Sequence, residues 1–492
     1  MITRTRDFIA VTCLLLGLSI FTANSHGSSI RSVDQFSSLA KGEETLTVII
    51  ALKAAPQRVK PASTQSSGWV NFNDYVEQAQ RRFANEMGWQ NFNDIVRLKT
   101  LPAMVKNVDK RELERILKTN SVAGVYEDFA VEPSLTHSNP MIGSFQTYHS
   151  SNNGRGQVVA VLDNGFDSSH PFLRGKIIAE GCFSLAGECP GGEKVVIAPG
   201  AAKPACETCN HGTHVAGIVG GSRLKLSNGE VIQGVAPDVK IVALKVLDAN
   251  NGSVVPVLLA LDWLYSLSQK MPLSAINLSL GSKEQAYEQQ CDQVMPVFYE
   301  LFQRFRQLGT AVFVASGNDS YSHAISAPAC VSNAISVGAV GKQGAVAYYS
   351  NANKFLNVLA PGGMMKKSAE GGIVSSVPGG GFGYSQGTSM AAPHVAGAWA
   401  LLKSDYPQAS YAQLYEALIS SAPKVRDNRN YLSYPVISTA SAREVLSGQF
   451  GASPPESPPT ARPPQQPTKP APAPSSNCEK NIGGIIIFAE GC

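Results

Sequence analysis

The sequence has no apolar run long enough to cross a bilayer, which takes about twenty residues. Its best candidate, Phe8 to Phe21, has fourteen, so no transmembrane segment is expected. Net charge is equally scarce: 41 Lys and Arg against 37 Asp and Glu leave +4 on 492 residues, and no basic run exceeds two residues, as at Lys366-Lys367. Nucleic acid is therefore a poor partner for this chain. The length exceeds that of one ordinary domain, so more than one folded unit is expected.

Residues 1–25 read as a secretory signal: Arg4 and Arg6 precede the apolar stretch, and Ala23-Asn24-Ser25 gives a small-x-small cleavage pattern. Cys13 lacks the small neighbours of a lipoprotein site. The expected location is secreted, periplasmic or cell-surface. Removing Cys13 leaves eight of nine cysteines, and export favours pairing them. The preferred pairs are Cys291 with Cys330 and Cys478 with Cys492. Cys182, Cys189, Cys206 and Cys209 read as two disulfides of open connectivity, favoured over zinc binding through the C-x-x-C of Cys206 and Cys209.

Composition divides the rest. Residues 26–138 read as a small α+β unit, with strands over Leu46 to Leu52 and Val122 to Val131 and helices over Asn73 to Glu86 and Asp109 to Lys118, the second capped by Asp109. Residues 139–450 alternate buried strands with helices. Residues 451–476 form an extended linker, with ten prolines between 453 and 474. A cysteine-bounded tail, 477–492, carries Gly483-Gly484-Ile485-Ile486-Ile487-Phe488; it suits either surface docking or a strand folded back on the preceding domain.

The chemistry concentrates in the third of these units. Gly387-Thr388-Ser389-Met390-Ala391-Ala392-Pro393-His394-Val395-Ala396 sets one hydroxyl at the first turn of a helix of small residues. A serine hydroxyl is inert near neutrality unless a base takes its proton. His211-Gly212-Thr213-His214 opens a second helix of small residues and supplies His211 as the base. Val158 to Leu162 is a continuous apolar strand that delivers Asp163, followed by Asn164-Gly165, at its carboxyl end. Ala311 to Ala315 runs into Ser316-Gly317-Asn318, whose amide suits an oxyanion. Ala275 to Leu280 exits at Gly281 with backbone suited to pairing with an extended peptide. Ile241 to Val246 and Ala334 to Val340 complete the pattern of a doubly wound, mostly parallel α/β sheet with its site at the strand ends. His214 and His394 read as packed or capping side chains.

These four motifs, in this order, resemble the subtilisin-like serine proteases over roughly residues 139 to 446. The resemblance implies that Ser389 is the nucleophile, His211 the proton shuttle, Asp163 the orienting carboxylate and Asn318 the oxyanion donor. It places the peptide groove between Asn251-Gly252-Ser253 and Ser279-Leu280-Gly281, with Ala315, Ser316 and Gly317 beside it. Asp319, next to the oxyanion asparagine, lines the first specificity pocket and would favour a basic residue there. The resemblance also makes residues 26–138 a propeptide that inhibits the enzyme until self-cleavage near Leu135 to Pro140. Two positions where subtilisins place calcium-binding carboxylates read Phe172 and Gly341, so no cofactor is expected, with calcium at other ligands as the alternative. The implied molecule is a monomeric secreted endopeptidase acting on proteins or peptides. An esterase using the same apparatus, or a catalytically silent exported binding protein, are the alternatives.

Overall fold

The computed structural model describes residues 36, 44–53, 72–127, 142, 152–206, 209–225, 231–248, 253–365, 371–450, 479–482 and 485–488. The signal segment, Leu135 to Pro140, the proline-rich linker, Asn251, Gly252 and the Cys478/Cys492 pair lie outside these residues. Among the described residues no helix is long and apolar enough to cross a membrane.

The N-terminal unit is a four-stranded antiparallel sheet of β1 (Thr45–Leu52), β2 (Ile95–Arg97), β3 (Ala103–Asp109) and β4 (Val122–Glu127), in the order β2-β3-β1-β4. The alternation in β1 buries Val48 and Ile50 with Phe83 of α1 (Phe72–Met87) and with Leu113 and Ile116 of α2 (Lys110–Lys118). Asp109 caps α2 as expected, its carboxylate accepting from Glu112 N at 2.8 Å. Strand β4 is described only to Glu127, short of the expected Val131.

The larger sheet has eight strands: β5 (Val158–Asp163), β6 (Ile177–Phe183), β7 (Val195–Ile197), β8 (Lys240–Lys245), β9 (Ala275–Leu278), β10 (Ala311–Ala315), β11 (Ile335–Val340) and β12 (Val358–Pro361). Their order is β12-β11-β10-β9-β5-β8-β6-β7. All pair in parallel except β7, which runs against β6. The α/β doubly wound reading therefore holds. The continuous apolar run of β5 exists because both its faces are covered. Val159 and Val161 pack under α3 (His211–Gly220) and α6 (Thr388–Asp405), whereas Ala160 and Leu162 pack under α4 (Val254–Ser268) and α5 (Pro296–Gln307).

The two sheets share a core. Ile49, Ala51, Leu98, Leu101 and Val105 of the N-terminal unit belong to the same buried cluster as α4 and α5. Polar contacts fix the seam. Asp262 of α4, 4% exposed, accepts from Lys99 N at 2.8 Å, from Thr100 N at 2.9 Å and from the Thr100 hydroxyl. Arg304 of α5 donates to Thr100 O at 2.6 Å.

Three disulfides join Cys182 to Cys189, Cys206 to Cys209 and Cys291 to Cys330. The last is the preferred pair, and the first two settle the connectivity left open. The favoured disulfide reading of Cys206 and Cys209 thus holds over the zinc alternative, since a disulfide offers no thiolate to a metal. The tail forms a two-stranded antiparallel hairpin, Glu479–Ile482 with Ile485–Phe488.

Candidate active site

Asp163 is the last residue of β5 and fully buried, and His211 is the first of α3. They meet with His211 Nδ1 at 2.7 Å from Asp163 Oδ1. The helix reaches the strand end because Gly212 has no side chain: a Cβ there would lie 2.5 Å from Gly165 O and 2.9 Å from Asp163 Cβ. Asn164 fastens the same junction, its Oδ1 accepting from Gly212 N at 3.0 Å.

Ser389 is the second residue of α6, at the same edge of the sheet. Gly387 precedes it at φ 152°, in the region that favours glycine, and donates its N–H to Gly362 O at 2.9 Å. Gly397, one of the small residues of the motif, lets α6 pack closely: a Cβ there would lie 2.7 Å from Val235 Cβ and 3.1 Å from Val219 O of α3. Ser389 itself is only 2% exposed, and its carbonyl accepts from Ser279 Oγ at 2.5 Å.

Asn318 follows β10. Its Oδ1 accepts from Thr388 N at 2.8 Å and from Thr388 Oγ1 at 3.1 Å, which turns the Nδ2 donor to the opposite side. Asn318, Thr388 and Ser389 line one cleft together with Leu280, Gly281, Lys283, Ala315, Gly317, Asp319 and Ser326. Gly317 keeps that cleft open. At φ 105°, a Cβ on it would sit 2.2 Å from Asn351 Nδ2 and 2.3 Å from Ser326 Oγ.

The expected substrate-binding residues divide. Leu280, Gly281, Ala315 and Gly317 line the cleft. Ser279 and Ser316 do not line it: both are fully buried, Ser279 bonded to Ser389 O and Ser316 Oγ donating to Asn351 O at 2.8 Å. Each turns inward to satisfy a backbone carbonyl that would otherwise be buried without a partner. Ser253 caps α4, its hydroxyl accepting from Val255 N at 3.1 Å. Ser282, Lys283 and Ser326 are lining residues the motifs did not single out. Ser282 and Lys283 simply continue the Gly281 exit. Ser326 comes from the two-residue strand Ile325–Ser326 and carries no local signal.

Asp319 sits at the cleft with Oδ2 accepting from Asn351 Nδ2 at 3.0 Å. His214 is buried, its Nε2 between the carbonyls of Ile373 and Gly383 at 3.1 and 3.2 Å, and burial holds its pKa down to about 3. His394 Nδ1 bonds to Met390 O at 2.7 Å within its own helix. Both are the packed histidines expected.

The two former calcium positions do not suit a hard cation. Phe172 is 1% exposed and edge-on to Phe382 at 5.3 Å, and a Cβ on Gly341 would lie 2.7 Å from Met364 Cε. Neither offers side-chain oxygen. Among the described residues no group of three or more His, Cys, Asp or Glu side chains is placed to hold a metal.

A mostly parallel sheet covered by helices on both faces, with polar residues gathered at its strand ends, defines the α/β doubly wound class. The subtilase family model matches residues 154–452, and the chain belongs to that family. Subtilisin E of Bacillus subtilis (strain 168) is 32% identical over 333 residues, covering 66% of this chain and 76% of that protein. The major intracellular serine protease of the same organism is 35% identical over 268 residues, 52% of this chain and 71% of that one. Among solved structures, a chain described as proteases from Pseudoalteromonas arctica PAMC 21717 aligns with a TM-score of 0.50 at 28% identity, over 62% of this chain and 98% of that one. The protein is a subtilisin-like serine endopeptidase and acts on protein or peptide substrates.

Proposed function

We propose that Ser389, His211 and Asp163 carry the reaction and that the chain is exported as an inhibited precursor. Ser389 Oγ attacks the scissile carbonyl carbon as His211 takes the hydroxyl proton. A C–O bond forms, and the carbonyl electrons move to an oxyanion held by Asn318 Nδ2 and the Ser389 amide. Collapse breaks the C–N bond, with the proton passing from His211 to the leaving amine. Water then repeats the cycle on the acyl-enzyme and releases the carboxylic acid. Asp163 keeps the proton on Nδ1 and stabilises the imidazolium. No metal or cofactor enters these steps.

The observation that supports this most is the buried 2.7 Å contact between His211 Nδ1 and Asp163 Oδ1 beside the cleft that Ser389 lines. A fluorophosphonate probe tests it: wild-type protein is expected to be labelled at Ser389, and folded Ser389→Ala is expected to be unlabelled and inactive. Labelling elsewhere, or hydrolysis surviving in that variant, overturns the assignment.

Residues 26–138 then act as the inhibitory propeptide. Supporting this is the Lys99–Thr100 turn held by Asp262 and Arg304, which fastens the N-terminal sheet to the helices behind the site. The Ser389→Ala precursor is expected to keep its full mass in a protease-free host, whereas wild type loses the segment. Export through residues 1–25 is supported by the three disulfides. N-terminal sequencing of protein from the medium or periplasm checks it, and retention of unprocessed protein in the cytosol overturns it.

In the first specificity pocket, the Asp319 carboxylate favours a basic residue, tempered by Asn351 and by Lys283 on the same lining. Asp319→Asn is expected to lower kcat/KM about threefold for peptides with Lys or Arg before the scissile bond, while leaving Leu peptides unchanged.

A further inference from the structure

Four of the exposed large apolar side chains of the described surface, Tyr321, Tyr348, Tyr431 and Leu432, stand on segments that hydrogen bonds tie together. They come from three separate segments, so this tie is a property of the fold. The turn that carries Tyr431 and Leu432 is built rigidly. Buried Asp427 takes Arg429 Nε at 3.0 Å and Nη2 at 2.7 Å, and Arg429 Nη1 donates onward to Tyr348 O at 2.9 Å. Asn430 Nδ2 reaches Ser322 O at 2.7 Å, beside Tyr321. The turn closes on itself through Tyr431 N to Asp427 O and Asp427 N to Leu432 O, both 2.8 Å.

This construction holds an unfavourable conformation. Tyr431 has φ 63°, the left-handed region that a bulky side chain enters only when its surroundings force it, and its ring is nevertheless 69% exposed. The turn joins the paired strands Lys424–Arg426 and Ser433–Pro435, Asn430 Nδ2 also reaches the hydroxyl of buried Tyr434 at 2.8 Å, and the Arg426 guanidinium lies 5.2 Å from the centre of the Tyr431 ring. The surface is also continuous with the cleft: Asp319, a cleft residue, and Tyr321 both donate their backbone N–H to Asn351 Oδ1, at 2.9 and 3.1 Å.

We infer that this aromatic surface is an exosite for the substrate polypeptide, gripping an extended apolar segment several residues from the scissile bond. The inference rests on the endopeptidase reading above. Tyrosine rings suit that occupant because they offer broad apolar faces with little side-chain entropy to lose. Exposed tyrosines on segments tied to a cleft residue through Asn351 suit a chain longer than the cleft.

The test is the double variant Tyr348→Ser/Tyr431→Asn in the full chain. Asparagine tolerates the left-handed turn, so the backbone stays in place while the ring is removed. For an unfolded, fluorescently labelled protein substrate, KM is expected to rise about five- to tenfold at unchanged kcat. For a tetrapeptide p-nitroanilide, kcat/KM is expected to stay within twofold. An unchanged KM for the long substrate overturns the exosite, and an equal loss on both substrates shows a distorted cleft instead. If sedimentation shows wild type as a dimer and the variant as a monomer, the surface belongs to a second copy and the inference falls. Failure of the protease reading would look different, since neither substrate would then be cleaved by wild type.

Discussion

At the scale of single residues, the site is governed by which polar atoms are committed elsewhere. Asn318 Oδ1 accepts from both Thr388 N and Thr388 Oγ1, which fixes the orientation of its amide at the cleft. Asn318→Ala is expected to fold normally and to lose about 100- to 1000-fold in kcat, the loss seen when subtilisin is deprived of its equivalent asparagine. Near-normal turnover in a folded variant would remove Asn318 from the mechanism. Glu180 behaves oppositely, as a carboxylate that its site disfavours. Burial raises its pKa despite the amides of Gly200 and Ala202, the Ser168 hydroxyl and the charge of Lys203. A carboxyl with a raised native pKa binds protons more tightly when folded, so it costs stability above that pKa and recovers it as pH falls through it. Glu180→Gln, in a Ser389→Ala background to prevent autolysis, is expected to raise Tm by about 2 °C at pH 7. The gain should vanish near pH 4, and calorimetry at the two pH values checks both.

The residues that chemistry demands were the ones legible from sequence, because a nucleophile, a base and a carboxylate must stand at strand and helix ends. The inward turn of the Ser279 and Ser316 hydroxyls was not legible, for a different reason. Where a strand leaves its ladder, nothing in the local pattern says whether the next hydroxyl turns to the cleft or to a buried carbonyl. Ser326 was invisible because it reaches the cleft from the two-residue strand Ile325–Ser326, too short to carry a periodic pattern.

At the scale of elements, apolar continuity located β5, β8, β9, β10 and β11 to within two residues at each end. β9 stops at Leu278 instead of Leu280, because the next residue, Ser279, bonds to Ser389 instead of extending the ladder. β6 escaped notice since Glu180 and Gly181 interrupt its apolar run, and their burial depends on the distant 198–202 segment. The pairing of α4 and α5 with the N-terminal sheet was equally illegible, yet one residue dominates it. Asp262 is the acceptor for two backbone amides and a hydroxyl of the Lys99–Thr100 turn. Removing it leaves the buried Thr100 amide and hydroxyl unpaired, at a cost of about 1–3 kcal/mol each. In Asp262→Ala, activity is expected to appear several-fold sooner after precursor synthesis, and the Lys99 and Thr100 amides of the Ser389→Ala form should exchange hydrogen faster. An unaltered time course would mean that the apolar contacts alone hold the unit.

For the whole molecule, the three disulfides are unequal contributors to stability. In the chain-entropy account a crosslink stabilises by the loop it closes in the unfolded chain. Cys291–Cys330 spans 39 residues, Cys182–Cys189 spans 7 and Cys206–Cys209 spans 3. These lengths correspond to about 4, 2.5 and 2 kcal/mol respectively. Cys291–Cys330 also ties the start of α5 to the segment that brings Ser326 to the cleft, so its loss acts on the fold and on substrate binding together. Replacing each pair by alanine in the Ser389→Ala background is expected to lower the urea midpoint in that order, with a slope that rises as the unfolded chain is released. The Cys291/Cys330 pair should lose the most. In the active enzyme the same replacement should raise KM for short peptides, whereas the Cys206/Cys209 replacement, close to His211, should lower kcat instead. Equal destabilisation by all three pairs would show that native packing, and not unfolded-chain entropy, sets their worth.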